Sequence, residues 1–220
     1  NGVVNATVVY NVTGGSVQMY NSTVVALTLS PTDLNSVKFF TSLGLGTSAN
    51  DTFLSLARGS IMDVYGNPVS TVALQVATSV QPDVNQPALL YFNFDANTGY
   101  IILTFSETVN VNTFYPPDLT LQSSSNRTVT TITYTLTNGA VLTANSTVVL
   151  LALSSTDRNA IKALSPLASS VATTYLSHTS SLVKDMSGNM VTAIPSSVAL
   201  LASNFTPVTT PVSLVNFTID

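Results

Sequence analysis

The sequence predicts an all-β chain of antiparallel β-sandwiches, each containing one short crossover helix. Three features lead to this prediction: apolar residues alternate with polar ones at period two, valine and threonine dominate these runs, and one long segment occurs twice. Period-two alternation is typical of half-buried strands, and β-branched residues favour the pleated surface of a sheet. Short strands separated by turn residues are the pattern of a sandwich.

The internal repeat covers most of the chain. The stretch YNSTVVALTLSPTDLNSVK at 20–38 recurs as ANSTVVLLALSSTDRNAIK at 144–162, 124 residues later. The match extends back to Tyr10 and Tyr134, and IMDVYGNPV at 61–69 is repeated as VKDMSGNMV at 183–191 with an offset of 122. The repeating unit is therefore the size of one ordinary domain.

The repeat divides the chain into three parts. We expect residues 1–84 to be the C-terminal part of one repeat, 85–208 to be a complete repeat, and 209–220 to be the first strand of a following one. The tail TPVSLVNFTID resembles QPALLYFNFDA from Gln86, which supports the last assignment. The first copy lacks a counterpart of roughly 87–133, and a sandwich lacking about three strands would expose its core and unpaired edges.

Two sources of the missing strands are conceivable. We favour the preceding stretch of a longer tandem array. The alternative is a neighbouring subunit that lends strands by β-augmentation, with Pro211 to Asp220 as a candidate donor.

Strands are predicted in the complete copy near 88–94, 100–106, 118–122, 128–137, 140–143, 147–153, 173–177, 181–184 and 196–201. One helix follows the sixth of these strands. Ser154, like Ser30 in the first copy, stands three residues before an aspartate, Asp157 or Asp33, which is the spacing of a capped helix start. Pro31 fits the first helical position. The sequence therefore predicts a helix of two to three turns that covers the core.

The composition excludes several classes of protein. Only 7% of residues are charged, 45% are hydrophobic, and the net charge is −4. A nucleic-acid partner is not expected, because such proteins present a basic surface. Membrane insertion is not expected either, since the longest apolar run, Val148 to Leu153, has only the length of a strand. Without cysteine the chain has neither disulfides nor thiolate metal sites.

Asn-x-Ser/Thr sequons suggest how so uncharged a surface stays in solution. Eight occur, none with a central proline, and two of them, Asn21 and Asn145, stand at equivalent repeat positions. Glycans are bulky and solubilising, so several attached sugars would replace charged side chains. We expect an extracellular protein, secreted or at the cell surface, that is N-glycosylated at some of Asn5, Asn11, Asn21, Asn50, Asn126, Asn145, Asn204 and Asn216.

Two motifs point to a family. The strand GYIILTFSETV at 99–109 and the turn DMSGNMV at 185–191 resemble those of SbsA-type bacterial Ig-like domains. The helix STDRNAIK at 155–162 is similar to helices in long tandem arrays of such domains in surface proteins of microbial eukaryotes. The resemblance covers 85–201 and the matching part of the first copy. It implies tandem Ig-like sandwiches with an extracellular structural or adhesive role, although bacterial members carry fewer sequons.

An enzyme is not expected, because titratable residues are few. His178 is the only histidine, and its segment LSHTSS predicts a solvent-exposed imidazole in a polar loop or at a strand edge. A hydrolytic triad would need an activated serine beside it. Glu107 in FSETV is predicted to end a strand, and acid–base chemistry would require a second carboxylate within reach. We therefore assign no catalytic residue.

The repeated Asp-x-x-Gly-Asn turns are the remaining polar motif. Asp63 with Asn67, and Asp185 with Asn189, could offer oxygens to calcium, but this ion takes six to eight oxygen ligands. A turn in which aspartate binds its own backbone, followed by a glycine at positive φ, explains the motif more simply. We expect no metal and no cofactor.

These observations predict a structural component of an extracellular glycosylated filament, appendage or cell-surface fibre. Its expected partners are neighbouring repeats or copies of itself. The alternative is a cell-surface adhesion module whose loops bind carbohydrate or protein.

Overall fold

The structure is a computed structural model that describes residues 8–21, 23–209 and 216–219. The described residues form several sheets of mainly antiparallel strands, with few helices. The all-β prediction is therefore confirmed at this level. The chain divides into two compact units. Unit 1 comprises residues 1–85 and 186–189, and unit 2 comprises residues 86–185 and 190–220.

Unit 1 contains two small sheets and one helix. The first sheet pairs β1 (Gly15–Asn21) with β2 (Val24–Leu29), and the second pairs β3 (Phe53–Leu56) with β4 (Val72–Val76). Helix α1 (Pro31–Phe40) follows β2, and 3-10 turns lie at Thr41–Leu43 and Ala49–Asp51. Both strand pairs are antiparallel.

Unit 2 contains two larger sheets. Its elements are β5 (Leu89–Asp95), β6 (Tyr100–Asn110), β7 (Leu119–Gln122), β8 (Thr133–Thr135), β9 (Gly139–Val141), β10 (Ser146–Leu153), α2 (Ser155–Ala163), β11 (Tyr175–His178), β12 (Lys184–Asp185), β13 (Leu200–Leu201) and β14 (Asn204–Thr206), with 3-10 turns at Val111–Thr113, Pro116–Asp118 and Val171–Thr173. One sheet has the order β14-β5-β6-β10-β9, with β12 also paired to β6, and the other has the order β13-β11-β7-β8. Only the β14–β5 pairing is parallel among the described strands.

The core of unit 2 is built from alternate residues of both sheets. On β6, Ile101, Leu103 and Phe105 are buried, whereas the residues between them are exposed or half-buried. Leu121 and Leu176 contribute from the other sheet to the same hydrophobic cluster. Because side chains alternate across a strand, the period-two pattern of the sequence directly selects the residues that face this core.

Most predicted strands of the complete copy coincide with observed ones. The differences are at 128–137, where only Thr133–Thr135 is strand, at 181–184, where only Lys184 is strand, and at 196–201, where only Leu200–Leu201 is strand. Thr128 to Thr131 instead form a turn, in which the Thr131 N–H donates to the Thr128 carbonyl at 3.2 Å. The threonine-rich sequence has the composition of a strand, but hydroxyl groups also bond to the local backbone and so stabilise turns.

Both helices begin as predicted. Ser30 Oγ accepts a hydrogen bond from the Asp33 N–H at 3.1 Å, and Ser154 Oγ accepts one from the Asp157 N–H at 3.0 Å. Pro31 occupies the first turn of α1, where a missing N–H costs no hydrogen bond. The sequence prediction of two capped helices is confirmed.

The same elements recur in both copies, but their burial differs. The elements β1, β2, α1 and β3 correspond in sequence to β9, β10, α2 and β11. Strand β4 pairs with β3 as β13 pairs with β11. Unit 2 contains a hydrophobic core, whereas Asp33 alone is buried among the described residues of unit 1. The repeated sequence therefore forms the same local structure with and without a surrounding core.

Candidate functional site

Seven of the eight sequons lie in the described residues, and Asn5 lies outside them. Six of these asparagines are exposed, and the seventh, Asn145, is half-buried. The exposed ones are Asn11, Asn21, Asn50, Asn126, Asn204 and Asn216. A glycan needs a surface position, so this placement leaves N-glycosylation open at each of the six.

The two equivalent sequons, at Asn21 and Asn145, use their carboxamide oxygen in local hydrogen bonds. Asn21 Oδ1 accepts from the Thr23 N–H at 2.9 Å, and Asn145 Oδ1 accepts from the Val111 N–H at 3.0 Å. An N-linked sugar is attached through the carboxamide nitrogen. These hydrogen bonds therefore orient each side chain without occupying the atom that would carry the glycan.

A buried aspartate forms the same polar cluster in each copy. In unit 1, Asp33 at the start of α1 accepts from the Tyr10 hydroxyl at 2.6 Å and from the Thr13 hydroxyl at 2.8 Å. It also accepts from the Gly14 N–H at 2.7 Å and from the Ser30 hydroxyl at 2.9 Å. The Tyr10 hydroxyl contributes most to lowering the pKa of Asp33, against the opposing effect of burial. The carboxylate therefore joins the segment before β1 to the helix start.

Unit 2 repeats this cluster around Asp157, which is fully buried. Its carboxylate accepts from the Tyr134 hydroxyl and the Thr137 hydroxyl, each at 2.7 Å, and from the Asn138 N–H at 3.1 Å. Burial alone would raise the pKa of Asp157, but these hydrogen bonds outweigh burial and lower it. The hydrogen bond from the Tyr134 hydroxyl to Asp157 also raises the pKa of Tyr134. We call this arrangement of Tyr, Thr and Asp the aspartate clamp.

The sequence contains the residues of the aspartate clamp in two recurring motifs, and only one of these motifs is a helix cap. Tyr-x-x-Thr at 10–13 and Ser-x-x-Asp at 30–33 both recur at an offset of 124. The cap motif accounts for the serine and the backbone N–H of the aspartate. The tyrosine and threonine donors became apparent only in the fold, which brings residues about 20 positions apart into contact.

The Asp-x-x-Gly-Asn segments form turns, as predicted. Asp63 Oδ1 accepts from the N–H groups of Tyr65 at 2.9 Å and Asn67 at 2.8 Å. Gly66 and Gly188 have φ of +83° and +93°, a conformation that disfavours side chains. Hydrogen bonds from the Asn67 side chain and backbone lower the pKa of Asp63. The Asp63 carboxylate therefore accepts its hydrogen bonds from residues of the same turn.

Two of the sequence expectations for titratable residues are wrong. Glu107 does not end a strand but lies within β6, which continues to Asn110, and it is only 6% exposed. His178 is not solvent-exposed but ends β11 with 4% exposure, and Ile194 exchanges two backbone hydrogen bonds with it. Polar neighbours suggested a strand end at Glu107 and an exposed position at His178, but β6 continues to Asn110 and Ile194 pairs with His178.

The His178 imidazole makes one hydrogen bond among the described residues. Its Nδ1 lies 2.9 Å from the Thr179 carbonyl oxygen, to which a protonated Nδ1 donates, and Nε2 has no hydrogen-bond partner among the described residues. Burial lowers the pKa of His178, while the Thr179 carbonyl and the Asp118 charge oppose that shift only in part. Because the folded pKa is below the unfolded pKa, protonation favours the unfolded chain.

We expect this histidine to make unit 2 less stable in mild acid. Its contribution is fully present above the ordinary histidine pKa of 6.5 and is lost as the pH falls below that value. Leu56 occupies the equivalent position of the first copy, so His178→Leu is the natural replacement. Urea unfolding measures the free energy of unfolding at pH 7.5 and at pH 5.0. Between these two values, His178→Leu should lose less of it than the native chain. An identical loss in both proteins would contradict the prediction.

A cleft of about 420 Å³ lies beside α2 in unit 2. Phe94, Ile161 and Phe205 form apolar parts of its lining, and Arg158 and Lys162 add two cationic side chains. Its size is within the range of small-molecule sites. The cleft could therefore hold a ligand with an apolar face and an acidic group.

Comparisons with known proteins identify no relative. No protein-family model matches the chain, and neither a curated protein nor a solved structure does. Among the described residues, neither helix combines the length and apolar character needed to cross a bilayer.

Proposed function

We propose that the chain is a structural component of an extracellular, N-glycosylated filament, appendage or cell-surface fibre built from tandem Ig-like repeats. The observation that carries the proposal is the recurrence of one set of elements, with the same aspartate clamp, at a nearly constant sequence offset. Serial units of equal construction are the usual way to build an elongated array.

The surface chemistry supports an extracellular location. Charged residues are only 7% of the chain, so solubility must depend on other polar groups. The exposed sequons are distributed over both units, from Asn11 to Asn216. Sugars at these positions would cover a surface that has few charges. The proposal assigns no catalytic role to His178 or Glu107 and needs no metal or cofactor.

Electron microscopy of the native protein tests the proposal directly. We expect fibres or beaded strands whose repeat along the axis corresponds to one unit. Isolated globules at all protein concentrations, with intact mass equal to that of a single short chain, would contradict it.

Glycosylation provides a separate prediction. We expect the chain secreted from a eukaryotic host to lose mass on enzymatic removal of N-glycans, with sugars at Asn21 among the mapped sites. Asn21→Gln should remove one glycan, whereas Asn35→Gln, which changes an asparagine outside any sequon, should leave the mass of attached sugar unchanged. Bare asparagines in peptide mapping by mass spectrometry would refute the expectation.

Adhesion is the second candidate function, and the cleft beside α2 favours it. An acidic sugar could pair with Arg158 and Lys162 while its ring packs on Phe205. A glycan array probed with the chain should then show binding that Arg158→Ala reduces. Binding that is independent of Arg158 would place the ligand elsewhere.

A further inference from the structure

Unit 1 has an apolar cleft between its two sheets. The cleft has a volume of about 630 Å³, with Leu27 of β2 on one wall and Phe53, Leu54 and Leu56 of β3 on the other. Leu27 is 53% exposed and Leu54 is 55% exposed. Large apolar surfaces of this kind mark interaction sites in soluble proteins.

The second copy shows what covers the equivalent surface. Leu27 corresponds to Leu151 at the offset of 124, and Leu54 corresponds to Leu176 at the offset of 122. Both counterparts are 0% exposed, in the same hydrophobic cluster as Leu103 of β6 and Leu121 of β7. The strands β5, β6 and β7 thus supply the side chains that pack against this surface in unit 2.

The open strand edges of unit 1 match the same three strands. In unit 2, β10 lies between β9 and β6, and β11 lies between β13 and β7. Their counterparts in unit 1 have one partner each among the described strands, because β2 pairs with β1 and β3 pairs with β4. Among the described strands, one edge in each sheet therefore has no strand partner, at the position that β6 or β7 would take.

The segment before β1 also differs from its counterpart in unit 2, in a way that agrees with the open edge of β3. Residues 9–11, the counterpart of β8, do not form a strand in unit 1. In unit 2, β8 is held by β7 alone. Yet Tyr10 keeps the bond to Asp33 that Tyr134 makes to Asp157, so the segment is held in place for pairing. Among the described residues of unit 1, the counterpart of β8 therefore lacks the pairing that β7 provides in unit 2.

We propose that the cleft and the two open edges of unit 1 bind a three-strand segment with the apolar pattern of residues 89–122. This inference names the contact between repeats and so rests on the proposed function. A β6-type strand would pair with β2, and a β7-type strand would pair with β3, as β-augmentation does at sheet edges. By the registers of unit 2, Leu27 would face an Ile101-type residue, Val25 a Leu103-type residue and Leu54 a Leu121-type residue.

The chemistry of the surface agrees with this partner. The strands β1 to β4 contain no charged residue. A charged peptide would lose its hydration without gaining an ion pair on such a surface. A segment of the 89–122 type instead offers alternate apolar side chains together with backbone donors and acceptors.

Binding of a labelled peptide tests the inference. The probe is a fluorescent synthetic segment of residues 86–122, added to the whole chain and followed by fluorescence anisotropy. We expect saturable binding that Leu27→Lys or Leu54→Lys weakens by at least about tenfold, because each lysine places a charge in the filled cleft. Val64→Lys is the matched control, since Val64 is 93% exposed in the Asp63 turn outside the cleft. A probe carrying Leu103→Lys should bind weakly.

The inference would be overturned if the probe did not bind, or if it bound equally well to the Leu27→Lys chain. It would also be overturned if the chain associated with itself without the probe and Leu27→Lys abolished that association. In that case a second whole copy would fill the cleft. The thermal transition of unit 2 should be unchanged in all three lysine variants, which excludes general unfolding as the cause. Fibres without probe binding would overturn this inference alone, whereas probe binding without fibres would contradict the proposed function.

Discussion

Replacement of Leu151 by alanine is expected to lower the free energy of unfolding of unit 2 by about 2 to 5 kcal/mol. Leu151 is 0% exposed in the hydrophobic cluster, so the change removes buried methyl groups and leaves a cavity. The same replacement at Leu27, which is 53% exposed, should change the stability of the uncomplexed chain by less than about 1 kcal/mol. Urea unfolding followed by far-UV circular dichroism measures both changes.

The two leucines form a matched pair, because each ends the sequence STVVxL directly after a sequon asparagine. Local strand propensity is thus similar, and the difference in stability mainly reports packing. When the peptide 86–122 is bound, Leu27→Ala should lower the free energy of unfolding by more than it does in the free chain. Equal effects of the two substitutions in the free chain would show that unit 1 has a core of its own, contrary to the structure.

Removal of the aspartate clamp is expected to have the next largest effect. Asp157→Ala should destabilise unit 2 by about 3 kcal/mol or more, because the hydroxyls of Tyr134 and Thr137 and the Asn138 N–H lose a charged acceptor inside the protein. The helix start also loses an acidic residue in its first turn. Thermal or urea unfolding measures the loss.

Two further variants identify its cause. Asn159→Ala changes an exposed residue of the same helix and should have little effect. Asp157→Asn keeps the shape but removes the charge. Since the pKa of Asp157 is lowered in the folded chain, its contribution is present above the ordinary value of 3.8 and is lost as the pH falls below it. The Asn variant should therefore lose less stability in acid than the native chain, and equal acid sensitivity would argue against the clamp.

The local structure of this chain is readable from its sequence because it depends on neighbouring residues. The helix starts at Ser30 and Ser154 follow from a four-residue capping motif, and the glycine turns follow from a positive φ that glycine tolerates best. Strands such as Leu119–Gln122 follow from period-two alternation. The turn at Thr128 escaped prediction because threonine suits both strands and hydroxyl-bonded turns.

The sites were less predictable, because burial depends on remote segments. Glu107 was expected to end a strand and His178 to be exposed, yet both are buried, Glu107 within β6 and His178 at the end of β11. The full set of donors around Asp157 likewise required Tyr134 and Thr137 to be placed beside the helix start. Sequons needed no such information, since their recognition depends on three consecutive residues.

The sequence alone determined the repeat, the positions of most strands and both helices, and the residues that share a face of each strand. Only the tertiary structure decided which faces are covered. Leu27 and Leu151 have nearly the same neighbours in sequence, but strands from residues 89–122 bury only the second. The physical reason is that alternation selects a face locally, whereas burial requires another strand, distant in the sequence, to pack against that face.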